Sequence, residues 1–172
     1  MDKMYHKGQN MPEEKRNIIP GTLDKVDREI LRHLQANSKI DMVRLCKVLN
    51  MTKAPVYKRI AGLEEAGYIS HYVALLDRKK VGLPLLVFCA VSLNIQNAEY
   101  IAQFKKRVRG IEEIVECYLT GGVFDFVLKV VVADLEAYNN FASNKLATIP
   151  NVGKIQSSFV LEDIKYSTVL PI

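Results

Sequence analysis

LNMTKAPVYKRIAGLEEAGYI, residues 49–69, carries the start, both faces and the stop of one helix. Thr52 is a capping residue type, and Pro55 is tolerated because the N–H groups of a first turn have no intrahelical partner. At about 100° per residue, Val56, Ile60 and Leu63 fall on one face, while Ala54, Tyr57, Lys58 and Ala61 fall on the other. The first face packs and the second is free. Lys53 and Arg59 flank the seam, and Gly67 supplies the C-terminal stop.

Two shorter helices precede this one. Asp24 can accept from the free N–H groups of a first turn, and Val26, Ile30, Leu31 and Leu34 repeat at helical spacing, which predicts a helix over 24–36. Asn37 and Ser38 break it. Asp41 caps a second helix over 42–49, with Leu45, Val48 and Leu49 as its apolar side, and Asn50-Met51 forms the turn before Thr52. Three short helices with a tight turn before the last make a helix-turn-helix unit, whose final helix enters the major groove of DNA. On that helix Ala54 permits close approach, Tyr57 offers a ring and a hydroxyl, and Lys53 and Lys58 supply cations. Arg44 and Lys47 on the second helix are placed to clamp the duplex backbone. Arg59, on the flank, reaches a phosphate or an acidic neighbour such as Glu64 rather than a base. A three-helix bundle with solvated lysines fits the same periodicity.

The charge distribution separates these readings. Residues 1–80 hold 16 Lys and Arg against 10 Asp and Glu, a net +6, whereas residues 81–172 hold 8 against 9, a net −1. The basic excess lies wholly in the first half, as in a polyanion-facing module joined to a neutral one. Residues 1–22, polar and without sustained periodicity, read as a mobile arm with four basic residues. The longest apolar run, 83–91, is shorter than the ~20 residues a bilayer span needs, and no apolar segment flanks the N-terminal charges, so neither membrane nor secretion is expected. Cys46, Cys89 and Cys117 are isolated within apolar segments and read as buried free thiols in a reducing cytoplasm.

YISHYVALLD, 68–77, is β-branched and aromatic and predicts one or two short strands at the exit of the helical unit; residues 78–82 read as a linker. Beyond it a strand-helix-strand order occurs twice: 83–93, 99–108 and 111–119, then 124–132, 135–148 and 152–161. Two β-α-β units in series predict an α+β, ferredoxin-like βαββαβ domain over 83–172, with two helices on one face of an antiparallel sheet. The other face, expected to draw on Phe88, Val91, Val115, Val130 and Val132, remains apolar enough to call for a second subunit as its cover.

LDKVDREIL (23–31), MTKAPVYKRIAGLEEAGYI (51–69), HYVALLD (71–77) and LTGGVFDFVLKV (119–130) occur in the order and at the spacing of the Lrp/AsnC family of feast/famine transcriptional regulators, which the chain resembles from residue 23 onward. The resemblance implies a winged helix-turn-helix over 23–77 followed by a ligand-sensing ferredoxin-like domain. It also implies homodimers built through that domain, octamers of four dimers, double-stranded DNA as partner and an amino acid as effector, with no cofactor. The family's recognition helix falls on 52–66, with Thr52, Lys53, Ala54, Tyr57 and Lys58 as contacts, and its effector loop on Gly121, Gly122, Val123, Phe124 and Asp125. Glycines free backbone N–H groups for a carboxylate and an aspartate can hold an ammonium, although a plain hairpin turn capped by Asp125 fits the same residues. Val123 and Ser158 depart from the residue types of many relatives, which leaves the effector's identity open; Leu135 is assigned to the same cleft.

Other functions fit less of the chain. An RNA-recognition domain shares the strand order, but the third strand, FDFVLKVVV, lacks the basic-glycine start of that signature, and its domain is slightly acidic. An enzyme would need a nucleophile elbow, a phosphate-cradling glycine loop or a histidine-carboxylate cluster; His6, His33 and His71 are dispersed. A stand-alone small-molecule sensor leaves the basic half unexplained.

Overall fold

The structure, a computed structural model, describes residues 23–172, so the expected N-terminal arm lies outside the described residues. By contacts the chain divides into two compact units, one reaching to Val73 and regaining Ser167–Ile172, the other comprising Ala74–Tyr166.

The first unit contains α1 (Lys25–Ala36), α2 (Met42–Leu49) and α3 (Lys53–Glu65). Asp24 and Asp27 cap α1 reciprocally, each side chain accepting from the other's backbone N–H at 3.3 and 2.8 Å. Asp41 accepts from Val43 and Arg44 N–H at the start of α2. Asn50 adopts a left-handed conformation, φ 52°, which a short polar side chain tolerates and which turns the chain sharply between α2 and α3. Thr52 occupies the N-cap position of α3, yet its side chain makes no capping bond. Gly67, at φ +76°, closes α3, with the Tyr68 N–H returning to the Leu63 carbonyl at 2.9 Å. The core gathers Ile30, Leu34, Leu45, Cys46, Val56, Ile60 and Leu63.

Two expectations need correction here. Val48 is exposed and Cys46 takes its place in the core, because the packed stripe of α2 runs along Met42, Leu45, Cys46 and Leu49. Residues 68–77 form no strand. Strand propensity reports fit to a pleated surface, not the existence of a partner, and no described strand pairs with this segment. It instead exposes Tyr72, Val73, Leu75 and Leu76, and residues 78–82 form a turn in which Asp77 accepts from the Lys79 and Lys80 N–H groups.

The second unit follows the ferredoxin-like order: β1 (Leu85–Leu93), α4 (Ala98–Val108), β2 (Ile114–Leu119), β3 (Phe126–Val132), α5 (Leu135–Phe141) with a π turn over Ala142–Leu146, and β4 (Val152–Phe159). The antiparallel sheet runs β2-β3-β1-β4. Strict alternation on β3 sends Phe126, Leu128, Val130 and Val132 into the core, matched on β1 by Val87, Cys89, Val91 and Leu93. Phe104 of α4 stacks on Phe126 with ring centres 4.3 Å apart. The expected open face is therefore only partly right: Phe88 (41% exposed) and Val115 lie outside the core, whereas Val91, Val130 and Val132 pack within it. Register with Phe88 puts Ala90, Val127, Lys129 and Val131 on the same open side. Cys117 is exposed on edge strand β2, unlike Cys46 and Cys89, which are buried as expected.

Candidate functional site

Burial of Val56, Ile60 and Leu63 fixes the roll of α3 about its axis. That roll leaves Thr52, Lys53, Ala54, Tyr57 and Lys58 exposed together, Tyr57 at 56%. Lys53 and Lys58 form no ion pair with any described residue. The row therefore offers two cations, a phenol and a small residue at one surface, the chemistry that meets phosphates and base edges. Arg44 and Lys47 are exposed on α2, the first turn of which is capped by Asp41.

Arg59 has another task. Its guanidinium reaches Asp24 at 2.6 Å and Asp27 at 2.7 Å, tying α3 to the start of α1. The acidic partner is thus not Glu64, whose carboxylate accepts from the Tyr72 hydroxyl at 2.8 Å. Sequence distance hid the pairing, since the partners are 32 and 35 residues away. The Asp27 N–H and then Arg59 hold the Asp24 carboxyl below its ordinary range. Partial desolvation of the hydroxyl of this half-exposed residue, reinforced by Glu64, pushes the Tyr72 phenol up to about 12.

The loop between β2 and β3 closes with Thr120 N–H to the Asp125 carbonyl at 2.8 Å and Thr120 hydroxyl to the Phe124 carbonyl at 2.8 Å. Gly121, Gly122 and Val123 are exposed, Val123 at 88%, and their N–H groups donate to no described residue. A Cβ at either glycine would meet nothing within 4 Å, so crowding is not what requires glycine here. Asp125 does more than cap a turn: its Oδ2 accepts the Leu93 N–H at 2.7 Å, and its own N–H donates to the Val91 carbonyl, stitching the loop to β1. The Lys154 ammonium lies 5.7 Å from the Phe124 ring centre. Three unengaged N–H groups, an aspartate, a lysine, the half-buried Phe124 and the exposed Val123 thus lie at one end of the sheet.

Leu135 does not join them. It lies past the far end of β3, which is seven residues long and so spans about 20 Å. There it lines a separate depression of about 560 Å³ with Pro84, Leu85, Ala133, Asp134 and Glu136. Ser158 pairs with Phe88 at mid-sheet on the open side, nearer the loop than Leu135 but not part of it.

Two polar clusters escaped the sequence reading. On the open side Lys129 bonds Glu116 at 2.8 Å, Glu116 accepts from the Tyr118 hydroxyl at 2.8 Å, and Lys129 lies 5.5 Å from the Tyr166 ring centre. Lys129 accordingly lowers the Glu116 pKa. Within the core Tyr138 bonds both Cys89 and Ser157, and burial pushes its phenol up to about 12. The first cluster was findable by pairing β2 with β3 in register; the second unites β1, α5 and β4 and had no local signal. Among the described residues no group of three or more His, Cys, Asp or Glu could hold a metal ion, and no helix is long and apolar enough to cross a membrane.

The chain matches the family model described as winged helix-turn-helix DNA-binding over residues 23–70 and that described as Lrp/AsnC ligand binding domain over 86–170. It is 34% identical over 150 residues to the DNA-binding transcriptional activator DecR of Escherichia coli (strain K12), spanning 87% of this chain and 99% of that protein. It is 37% identical to the leucine-responsive regulatory protein of the same organism, spanning 87% and 92%. A transcriptional regulator from Neisseria meningitidis, solved as an L-Met complex, superposes with a TM-score of 0.83 at 35% identity, covering 87% of this chain and 97% of that one.

Proposed function

The chain belongs to the Lrp/AsnC family of DNA-binding transcriptional regulators, and from that premise we propose that α3 reads the DNA and the β2-β3 loop holds the effector. The relatives are regulators rather than enzymes, and the family takes amino-acid effectors rather than cofactors. One observation carries the DNA reading: Lys53, Ala54, Tyr57 and Lys58 stand exposed on a helix whose opposite side is wholly buried. Tyr57 and Ala54 address base edges; Lys53, Lys58, Arg44 and Lys47 address phosphates; the Thr52 hydroxyl, unused as a cap, is available to either. Arg59 serves by holding α3 against α1.

At the loop, the N–H groups of Gly121, Gly122 and Val123 receive the carboxylate of a free amino acid, and the second oxygen of Asp125 takes its ammonium. Phe124 and Val123 present apolar surface to its side chain. The apolar open side of the sheet supports a homodimer, with four dimers closing an octamer, and the setting is the cytoplasm. Ligand at a cleft between subunits alters DNA binding by favouring one arrangement of those subunits over another.

The test is selection from a randomised duplex pool at two salt concentrations, with Tyr57→Ala/Lys58→Ala beside the wild type. A pseudo-palindromic motif recovered by the wild type and lost by the variant, with affinity falling steeply in salt, is expected. Equal enrichment by both proteins would remove α3 from the reading.

A further inference from the structure

The segment after β4 is held at both of its ends. Near β4, the Val160 N–H bonds the Leu86 carbonyl at 3.0 Å, the Asp163 carboxylate meets Arg78 at 2.6 Å, and the Tyr166 ring receives Lys129. From the next residue, Ser167, the chain belongs to the helical unit. There the Gln35 side chain of α1 brackets Leu170: its Nε2 donates to the Leu170 carbonyl and its Oε1 accepts the Leu170 N–H, each at 2.9 Å. One helical turn earlier, Arg32 Nε donates to the Ile172 carbonyl at 2.5 Å while its Nη1 is braced by Glu29. The Ile172 N–H folds back to the Leu170 carbonyl at 3.0 Å, and the Ser167 hydroxyl accepts the Val169 N–H.

An amide that satisfies both the donor and the acceptor of one residue imitates a neighbouring strand, so α1 reads backbone rather than side chain. Ordering six terminal residues, five of them exposed, costs conformational entropy, and convergent bonds from two side chains one turn apart are the compensation. We propose that Gln35 and Arg32 form a receptor for the segment 167–172. The segment is a latch joining the end of the ligand-domain sheet to the DNA-reading helices, through a second connection besides the one at residues 73–74. Its role in signalling rests on the function proposed above; its existence does not.

The experiment is hydrogen exchange by mass spectrometry on the full chain, comparing wild type with Arg32→Ala/Gln35→Ala, which removes the receptor. Leu170→Pro removes the latch's own N–H without touching α1. Exchange in peptide 167–172 is expected to quicken about tenfold in both variants, the factor that one or two lost hydrogen bonds carry, with the β1 peptide unchanged. Free-chain exchange in the wild type, or unchanged exchange in the variants, overturns the latch. A second arm measures the amino-acid-induced change in affinity for the selected duplex. Loss of that change with ligand-free affinity kept within about twofold supports the signalling role, and an intact response from an opened latch overturns it. If the wild type selects no duplex, the DNA reading fails, while the exchange result still decides the latch.

Discussion

Arg59 on α3 and Asp27 on α1 lie 2.7 Å apart, so the helix proposed to read DNA is braced by a cation on the flank of its exposed row. Arg59→Ala is expected to lower the melting temperature by the equivalent of at most about 1 kcal/mol, since the pair is partly solvent-screened. The slope of log affinity against log salt should stay unchanged, whereas Lys58→Ala should flatten it by about one unit. A flattened slope in Arg59→Ala would return Arg59 to the phosphate contacts.

Acid should weaken the folded chain where its carboxyls are paired, at Asp24 and Glu116 among others. The Asp24 and Glu116 carboxyls are held below their ordinary values of 3.8 and 4.5, the first by the Asp27 N–H and Arg59, the second by Lys129. A depressed folded pKa contributes stability above the unfolded value and loses it as pH falls through the folded one. Melting temperature followed downward from pH 5 should therefore decline below about pH 4.5. The decline should be shallower in Lys129→Met, where Glu116 has lost its cation.

Alkali should act in the opposite sense. Tyr72 and Tyr138 are raised to about 12, Tyr138 chiefly by its burial in the core and Tyr72 by partial desolvation of its hydroxyl together with Glu64. Their contribution is complete below the unfolded value near 10 and disappears as pH rises through 12. Ultraviolet titration should show two phenols ionising late, and Tyr138→Phe should remove one of them.

Asp125 combines a structural bond with the proposed ammonium contact. Asp125→Ala, which orphans the Leu93 N–H, is expected to cost about 1–2 kcal/mol in denaturant melts. Asp125→Asn keeps an acceptor and should fold with little loss, yet bind amino acids at least tenfold more weakly by calorimetry. Equal binding by Asp125→Asn would move the ammonium elsewhere.

Phe88 tests the assembly. It is half exposed on the open side of β1, so Phe88→Asp leaves the packed face of the sheet intact. Sedimentation should show monomers for the variant where the wild type shows dimers or larger rings. Unchanged sedimentation would place the interface off this face.

Helix periodicity made the first unit legible because each short helix has one apolar stripe: Val56, Ile60 and Leu63 are buried as spaced. The doubled strand-helix-strand order made the sheet legible too. What escaped depended on partners. Strand content over 68–77 says nothing about a neighbour to pair with, and Arg59 could not be matched to Asp24 without α1 folded beside α3. Within one chain β3 separates Leu135 from the effector loop, a distance that sequence spacing does not show. The residues of the glycine loop fit an effector loop and a plain turn alike, and the Asp125 to Leu93 bond that anchors the loop to β1 had no local signal.

The π turn after α5 has a consequence for chain length. A continuous α-helix from Tyr138 and Phe141 would turn Lys145 inward, but the wider turn over Ala142–Leu146 brings Leu146 to the core and leaves Lys145 to meet Glu113 outside. The chain thus carries one residue more than this helix needs to fill the space beneath the sheet. Evolution by deletion has room here: losing one residue between 142 and 145 would restore regular pitch and still deliver the leucine inward.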